Sequence, residues 1–193
     1  MKYYAYILLE TNEKKIVETW DECFSKIKGN KVKHKSFKTK KEAQYWLENP
    51  LQKIILEKGI YFDSGTGRGI GVEVKVVNEK EDNLLKKVIP VEKTNKYGNY
   101  TLKGSEAHTN NFGELLGLYI ALKIGMQEKI LKIFGDSELV IKYWSNGYYK
   151  DIHKDTIDLI KKVVKLKKEF TKMGGEISKI SGDDNPADLG FHK

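Results

Sequence analysis

The chain has 193 residues, 39% of them apolar, which suits one or two domains with an ordinary core. Its 35 basic residues against 27 acidic ones leave a formal charge of +8, and every basic residue except Arg68 is a lysine. That balance favours a polyanionic partner such as nucleic acid, while the lone cysteine, Cys23, excludes an internal disulfide and a thiolate metal cluster.

Tyr3 to Leu9 reads as a strand, and Lys14 to Val17 as a second after the Glu10-Thr11-Asn12-Glu13 turn. Thr19-Trp20-Asp21-Glu22 has the form of a capping box, in which hydroxyl and carboxylate satisfy each other's free amides. It opens a helix that stops at Gly29. Lys31 to Phe37 is a lysine-rich strand, and Thr39-Lys40-Lys41-Glu42 opens a further helix through Ala43, Tyr45, Trp46 and Leu47. Asn49-Pro50 breaks that helix, because the residue before a proline avoids helical backbone. Residues 1–48 therefore read as a small basic unit and 49–57 as a linker, spanning roughly 15 Å if flexible.

The second unit is read over residues 58–193. Ile60 to Asp63 is a strand running into Gly65, Gly67, Gly69 and Gly71, and Val72 to Val77 alternates with period two. A turn over Glu79 to Asn83 leads to a third strand, Leu84 to Val91, completing an antiparallel meander. Residues 92–111 read as a polar loop. A helix follows over 111–126, with Leu115, Leu118, Tyr119 and Leu122 on one face. Then come a strand over 130–135, helices over 137–145 and 152–172, and a last strand from Glu176 to Ile180. Hairpins followed by alternating strand and helix predict an α/β fold, a mixed sheet with helices on both faces. No stretch is long enough to span a membrane, and the opening apolar run is too short for a signal-peptide core, so a reduced, soluble, cytoplasmic protein is expected.

Four acidic residues stand where strands or helices meet loops: Asp63, Glu114, Asp136 and Asp188. Carboxylates converging at such ends make an oxygen-rich cage for hard divalent ions, and two such ions can drive phosphodiester hydrolysis. The gap from Glu114 to Asp136 holds one helix, a turn and a strand, which returns the chain to the same sheet edge. Singly, each acid has a duller reading as a turn former or helix cap, with Asn111 a candidate cap for the helix that carries Glu114.

The flanking motifs carry more. Asp63-Ser64-Gly65, the segment Thr109-Asn110-Asn111-Phe112-Gly113-Glu114-Leu115-Leu116, Ile133-Phe134-Gly135-Asp136-Ser137 and Asn185-Pro186-Ala187-Asp188-Leu189-Gly190 occur in that order. In these stretches residues 58–193 resemble type 1 ribonuclease H. The resemblance implies a ribonuclease H-like five-stranded mixed sheet flanked by helices. It also implies hydrolysis of the RNA strand of RNA–DNA hybrids by a two-metal mechanism, leaving 5′-phosphate and 3′-hydroxyl ends. Asp63, Glu114, Asp136 and Asp188 would be catalytic and would hold two Mg²⁺, for which oxygen ligands alone do not exclude Mn²⁺. Asp184, four residues before Asp188, is a candidate fifth acid at the metal site. Thr109 and Asn111 match residues that hold a phosphate of the DNA strand, and Asn110 one that reads the minor groove. The chain departs from the family in three places. Lys179 to Asp184 has no loop histidine, and His192 is read as a surface residue. Glu138 stands where some members have Gln. Only Asn146 to Lys150 replaces the basic protrusion of some bacterial enzymes.

Residues 1–48 resemble the hybrid-binding domain found at the N-terminus of many such nucleases and in a caulimovirus protein. The matched features are Tyr3-Tyr4-Ala5, Thr19 to Cys23, Lys35-Ser36-Phe37 and the Glu42-Ala43 helix. Residues 31–41 hold six lysines. Tyr4, Trp20, Lys33 and Lys35 are the candidate nucleic-acid contacts, the rings stacking on deoxyriboses and the lysines pairing with phosphates, with Phe37 in the core. His34 stands where relatives often place a larger aromatic. The implied partner is an RNA–DNA hybrid, with no membrane, no obligate protein partner, and a monomeric state. The competing readings are a catalytically weak protein that binds RNA–DNA hybrids or double-stranded RNA, and another nuclease or strand-transfer enzyme of the same fold superfamily.

Overall fold

The computed structural model describes residues 2–49, 55–69, 71–103 and 108–190. The chain divides into two compact units, Met1–Ile55 and Leu56–Lys193. The expected helix break at Pro50, part of the linker, and His192 lie outside the described residues.

The first unit is a three-stranded antiparallel sheet of order β2-β1-β3, formed by β1 (Tyr3–Leu8), β2 (Lys14–Val17) and β3 (Val32–Phe37). Alternation along the central strand builds two small cores. Tyr6 points to one face and packs with Val17 of β2 and with Cys23 and Ile27 of helix α1 (Trp20–Ile27). Ala5 and Ile7 point to the other face and pack with Ala43 and Leu47 of α2 (Lys40–Glu48). The capping box at Thr39 is complete: its hydroxyl accepts from Glu42 N at 3.2 Å and its N–H donates to Glu42 Oε2 at 3.0 Å. At Thr19 only the hydroxyl half is made, from Glu22 N at 3.3 Å.

The second unit is a mixed five-stranded sheet of order β6-β5-β4-β7-β8. Its strands are β4 (Ile60–Gly65), β5 (Val72–Asn78), β6 (Tyr100–Leu102), β7 (Lys132–Gly135) and β8 (Glu176–Lys179). The first three are antiparallel neighbours, while β4–β7 and β7–β8 pair in parallel. This is the sheet that the resemblance implied. Helices α3 (Asn110–Glu128) and α4 (Lys154–Lys172) share one core with Ile60, Phe62, Val74, Val76 and Ile133. The opposite face, bearing Tyr61, Val77 and Phe134, is covered by Leu56, Ile180 and Ala187. The expectation of helices on both faces therefore gives way, among the described residues of this unit, to helices on one face and a coil segment on the other.

Two further expectations change. Leu84 to Val91 is not a strand. Leu84 and Leu85 are both buried, which a period-two strand with one open face does not allow, and Pro90 interrupts the run. The segment instead makes 3₁₀ turns at Leu85–Lys87 and Val91–Lys93, and Val91 is exposed. The third meander strand is β6, inside the stretch read as loop, where Tyr100, Thr101 and Leu102 pair with Val74, Glu73 and Val72. The helix expected over 137–145 is a π-helical turn over Leu139–Tyr143 and a 3₁₀ turn over Trp144–Asn146. There the Ser145 hydroxyl donates back to Ile141 O at 2.6 Å, a bond that competes with regular helix geometry.

Candidate active site

The parallel pairing of β4 with β7 and the docking of α3 on β4 bring three acids together. Asp63 lies on β4, Glu114 on the second turn of α3 and Asp136 directly after β7. One carboxylate oxygen from each lies within 4.8 Å of the others. Helix α3 starts at Asn110 with Thr109 as its N-cap, the Thr109 hydroxyl accepting from Phe112 N at 3.2 Å. Asn111 is thus inside the helix rather than its cap. Gly113 allows the close approach: a Cβ there would stand 2.3 Å from Val72 Cγ1 and 2.8 Å from Ser64 Cβ. Ser64, read in the sequence only as part of the Asp63-Ser64-Gly65 motif with no role of its own, holds the join. Its N–H donates to Glu114 Oε1 at 3.0 Å, and its hydroxyl lies 2.9 Å from Asn110 O and 3.1 Å from Glu114 Oε1. Glu114 Oε2 stays buried with no hydrogen-bond partner.

These acids line an open cavity of about 310 Å³ together with Asn110, Ser181, Gly182, Asp183, Asp188 and Leu189. Asp188 stands in the same cavity, outside the tight group of three. The segment carrying it is sewn to the sheet. Asn185 Nδ2 donates to Phe62 O at 3.0 Å, Leu189 N to Asp63 Oδ2 at 3.1 Å, and Lys75 Nζ to Pro186 O at 2.9 Å. Lys75 is the cross-strand partner of Asp63, a relation that only the register reveals. On the other side, Gly182 lets its loop press against Asp136, since a Cβ would stand 3.0 Å from Asp136 Oδ2. It is Asp183, not Asp184, that lines the cavity.

Burial and mutual repulsion disfavour charge here. Burial first, then the charges of Asp63 and Asp136, push the Glu114 carboxyl up to about 9. Burial, with the charge of Asp136 adding, lifts Asp63 to about 6. Asp136 is raised too, by burial and by Asp188. Outside the cavity Glu138 behaves oppositely: Lys142 and Lys179, at 2.7 and 2.9 Å, hold it down at about 2. The oxygen donors, the orphaned Oε2 and the suppressed charge all suit a hard divalent cation.

Asn111 lines a separate groove of about 640 Å³ with Leu139, Tyr143, Trp144, Tyr148 and Tyr149. In the first unit, Trp20 is 43% exposed and centres a ring cluster, with Tyr4 at 5.7 Å, His34 at 5.7 Å and Phe24 at 5.9 Å between centroids. Register splits the candidate contacts. His34 pairs with Tyr6 and shares the α1 face with Tyr4, while Lys33 and Lys35 pair with Ile7 and Ala5 and share the α2 face. Phe37 packs on Trp46 at 5.8 Å, as expected of a core residue. The exposed Phe24 was missed; its i,i+4 spacing from Trp20 was the available signal.

Among the described residues no helix is long and apolar enough to cross a membrane. No curated protein matches the chain. The solved structures similar to it include two at 21% identity. One is the N-terminal RNase H domain of a Mycobacterium tuberculosis protein, fused to maltose binding protein, with TM-score 0.40 over 66% of this chain and 84% of that one. The other is RNase H1 from the halophilic archaeon Halobacterium salinarum NRC-1, with TM-score 0.37 over 64% of this chain and 84% of that one. Residues 2–47 match the family model of the ribonuclease H1 N-terminal domain, so the first unit carries that family's signature.

Proposed function

We propose that the protein is a ribonuclease H that hydrolyses the RNA strand of RNA–DNA hybrids, leaving 5′-phosphate and 3′-hydroxyl ends. In this reading residues 1–48 grip the hybrid and residues 58–193 cut it. The observation that carries the proposal is the convergence of Asp63, Glu114 and Asp136 within 4.8 Å in an open cavity, in a chain whose first unit matches the ribonuclease H1 N-terminal domain.

Asp63, Glu114, Asp136 and Asp188 would hold two Mg²⁺, with Mn²⁺ as a substitute and Asp183 or Asp184 as a neighbouring acid. Ions held there would supply charge neutralisation and polarisation of the attacking water and of the leaving 3′ oxygen. The protein's own part is positional. Ser64 fixes one oxygen of Glu114 and leaves the other for a ligand. Leu189 N and Lys75 hold the Asp188 segment against Asp63. Thr109 keeps a hydroxyl proton to donate to a phosphate, since its oxygen accepts from the helix. Trp20 and Tyr4 would stack on sugar faces, and the lysines of β3 would pair with phosphates at the rim of this edge strand. Tethering the hybrid there raises its concentration at the nuclease.

The test is cleavage of a labelled RNA–DNA hybrid with Mg²⁺, compared with duplex RNA, duplex DNA and single strands. Cleavage confined to the RNA of the hybrid, and lost in Asp136→Asn, is expected. A hybrid left intact by both proteins overturns the enzyme reading and favours a binding protein.

A further inference from the structure

Among the described residues, a densely bonded polar cluster outside the cavity centres on Glu73, a fully buried carboxylate on β5. It accepts from the Arg68 guanidinium, with Nη1 2.8 Å from both oxygens, from Asn95 Nδ2 at 2.6 Å and from Asn99 Nδ2 at 3.1 Å. Burial alone would raise its pKa; Arg68, Asn99 and Asn95 outweigh it and hold the carboxyl below the usual range. Replacing a buried ion pair by apolar residues is often neutral or stabilising, so stability alone does not account for it. Its evident effect is to fix a shape. Asn95 also binds its own turn, accepting from Tyr97 N at 2.9 Å and Asn99 N at 3.1 Å, and Asn83 ties down Gly98 O at 2.7 Å. The chain's only arginine and the turn 95–99 are thereby locked together.

The locked turn presents cations and an aromatic ring outward. Tyr97 is 53% exposed, with the Arg68 guanidinium 3.9 Å from its ring centroid and Lys96 Nζ at 5.1 Å. Beside it, a groove of about 400 Å³ is lined by Lys93, Lys103, Thr94 and Thr101, with Glu92 its one carboxylate among the described residues. Glu73 lies two residues before Lys75 on β5, about 7 Å away by strand rise, on the sheet face that Lys75 shares with its cross-strand partner Asp63 on β4. A polyanion entering the cavity meets clustered acids there and gains from cations alongside. An exposed ring with two cations close by suits a sugar or base next to phosphate.

We propose that the 95–99 turn is a second nucleic-acid docking element, in which Tyr97, Lys96 and Arg68 take the sugar–phosphate backbone of the duplex beside the acid cavity, with Glu73 as its positioning residue. This rests on the function proposed above. The test uses full-length protein with steady-state cleavage, and binding to the hybrid followed by anisotropy across a salt series in the Asp136→Asn background. Tyr97→Ala and Lys96→Gln are expected to raise KM and Kd by about threefold to tenfold, with kcat changed by less than about twofold. Lys96→Gln also lowers the salt slope by about one, which a merely structural role would not do. Tyr97→Phe retains wild-type affinity. Unchanged Kd and salt slope in both variants overturn the docking element even if cleavage proceeds normally. Displacement of the hybrid by charge-matched polyglutamate as potently as by competing duplex overturns its nucleic-acid assignment. Failure of the parent reading looks different: no RNA cleavage by the unaltered protein, whatever the binding results.

Discussion

The two units keep their chemistry in opposite places. The first displays it: Trp20 and Phe24 are nearly half exposed, and its lysines lie on an edge strand. The second hides it: Asp63 and Glu114 are 7% and 4% exposed, and burial opposes their charge. A surface that grips a polyanion needs little reorganisation of the core and little sacrifice of stability. A cavity that gathers carboxylates costs stability until a cation arrives. The two units should therefore respond differently to mutation, metal and pH.

The sharpest separation comes from removing one function at a time. Asp136→Asn is expected to lower hybrid cleavage by at least about 10²–10³-fold while leaving hybrid affinity within about twofold. Trp20→Ala should do the reverse, weakening affinity by about fivefold to a hundredfold, the loss of one stacked ring, with cleavage at saturating hybrid maintained. Gel-shift titration and single-turnover cleavage on the same preparations decide between them. If Trp20→Ala loses cleavage and keeps affinity, the division of labour is wrong.

Metal and pH come next. Glu114 rises from an ordinary value near 4.5 to about 9, and Asp63 from 3.8 to about 6. Between those values the native state holds protons that the unfolded chain has released. Stability without metal must then fall as pH rises through the window. In chelator, the melting temperature of the second unit is expected to drop steadily from pH 5 to pH 9, roughly following these two carboxyls. Glu114→Gln removes the penalty and should raise the metal-free melting temperature at pH 8 by about 2–4 °C per kcal/mol regained. Mg²⁺ should stabilise the unaltered protein and have little effect on the variant. The first unit should show none of this. A flat pH profile in chelator would break the contrast.

Much of this was legible in advance. The acids were readable because each sits in a short motif at an element end, and the β4–β5 hairpin and the helix carrying Glu114 were readable from the period-two and helical patterns around them. What stayed hidden depends on register and on cross-chain partners. Lys75 looks like any outward strand lysine until its pairing with Asp63 is known. Asp183 and Asp184 are indistinguishable until a 3₁₀ turn over Gly182–Asp184 sets their directions. The strand Tyr100–Leu102 was missed because three residues are too few for periodicity, and its neighbours are held by Glu73 from another strand. Lys33 and Lys35 fell on the face opposite Trp20 for the same reason: alternation is readable along one strand, but the face it shares with a helix is not.

The smallest expected effect tests whether the first unit's exposed chemistry is separable from its own folding. Thr39 and Glu42 form a reciprocal cap on α2, whereas Thr19 makes a single bond at α1. Thr39→Ala removes an acceptor and leaves the Glu42 amide unpaired, at a cost of about 1 kcal/mol. In a unit this small that lowers the melting temperature by about 4–8 °C, and Thr19→Ala, which removes the same kind of bond from Glu22 N, should cost about as much. Neither cap is among the rings or lysines assigned to the hybrid, so affinity well below the melting point should be unchanged. Hydrogen exchange resolved by segment measures the cost within α1 and α2 separately, and Glu42→Ala, which removes the acceptor of the Thr39 N–H, reads the reciprocal half: no loss within α2 there would mean that bond contributes nothing. Affinity that fell with Thr39→Ala at low temperature would instead show that α2, on the Lys33 and Lys35 face, takes part in binding directly.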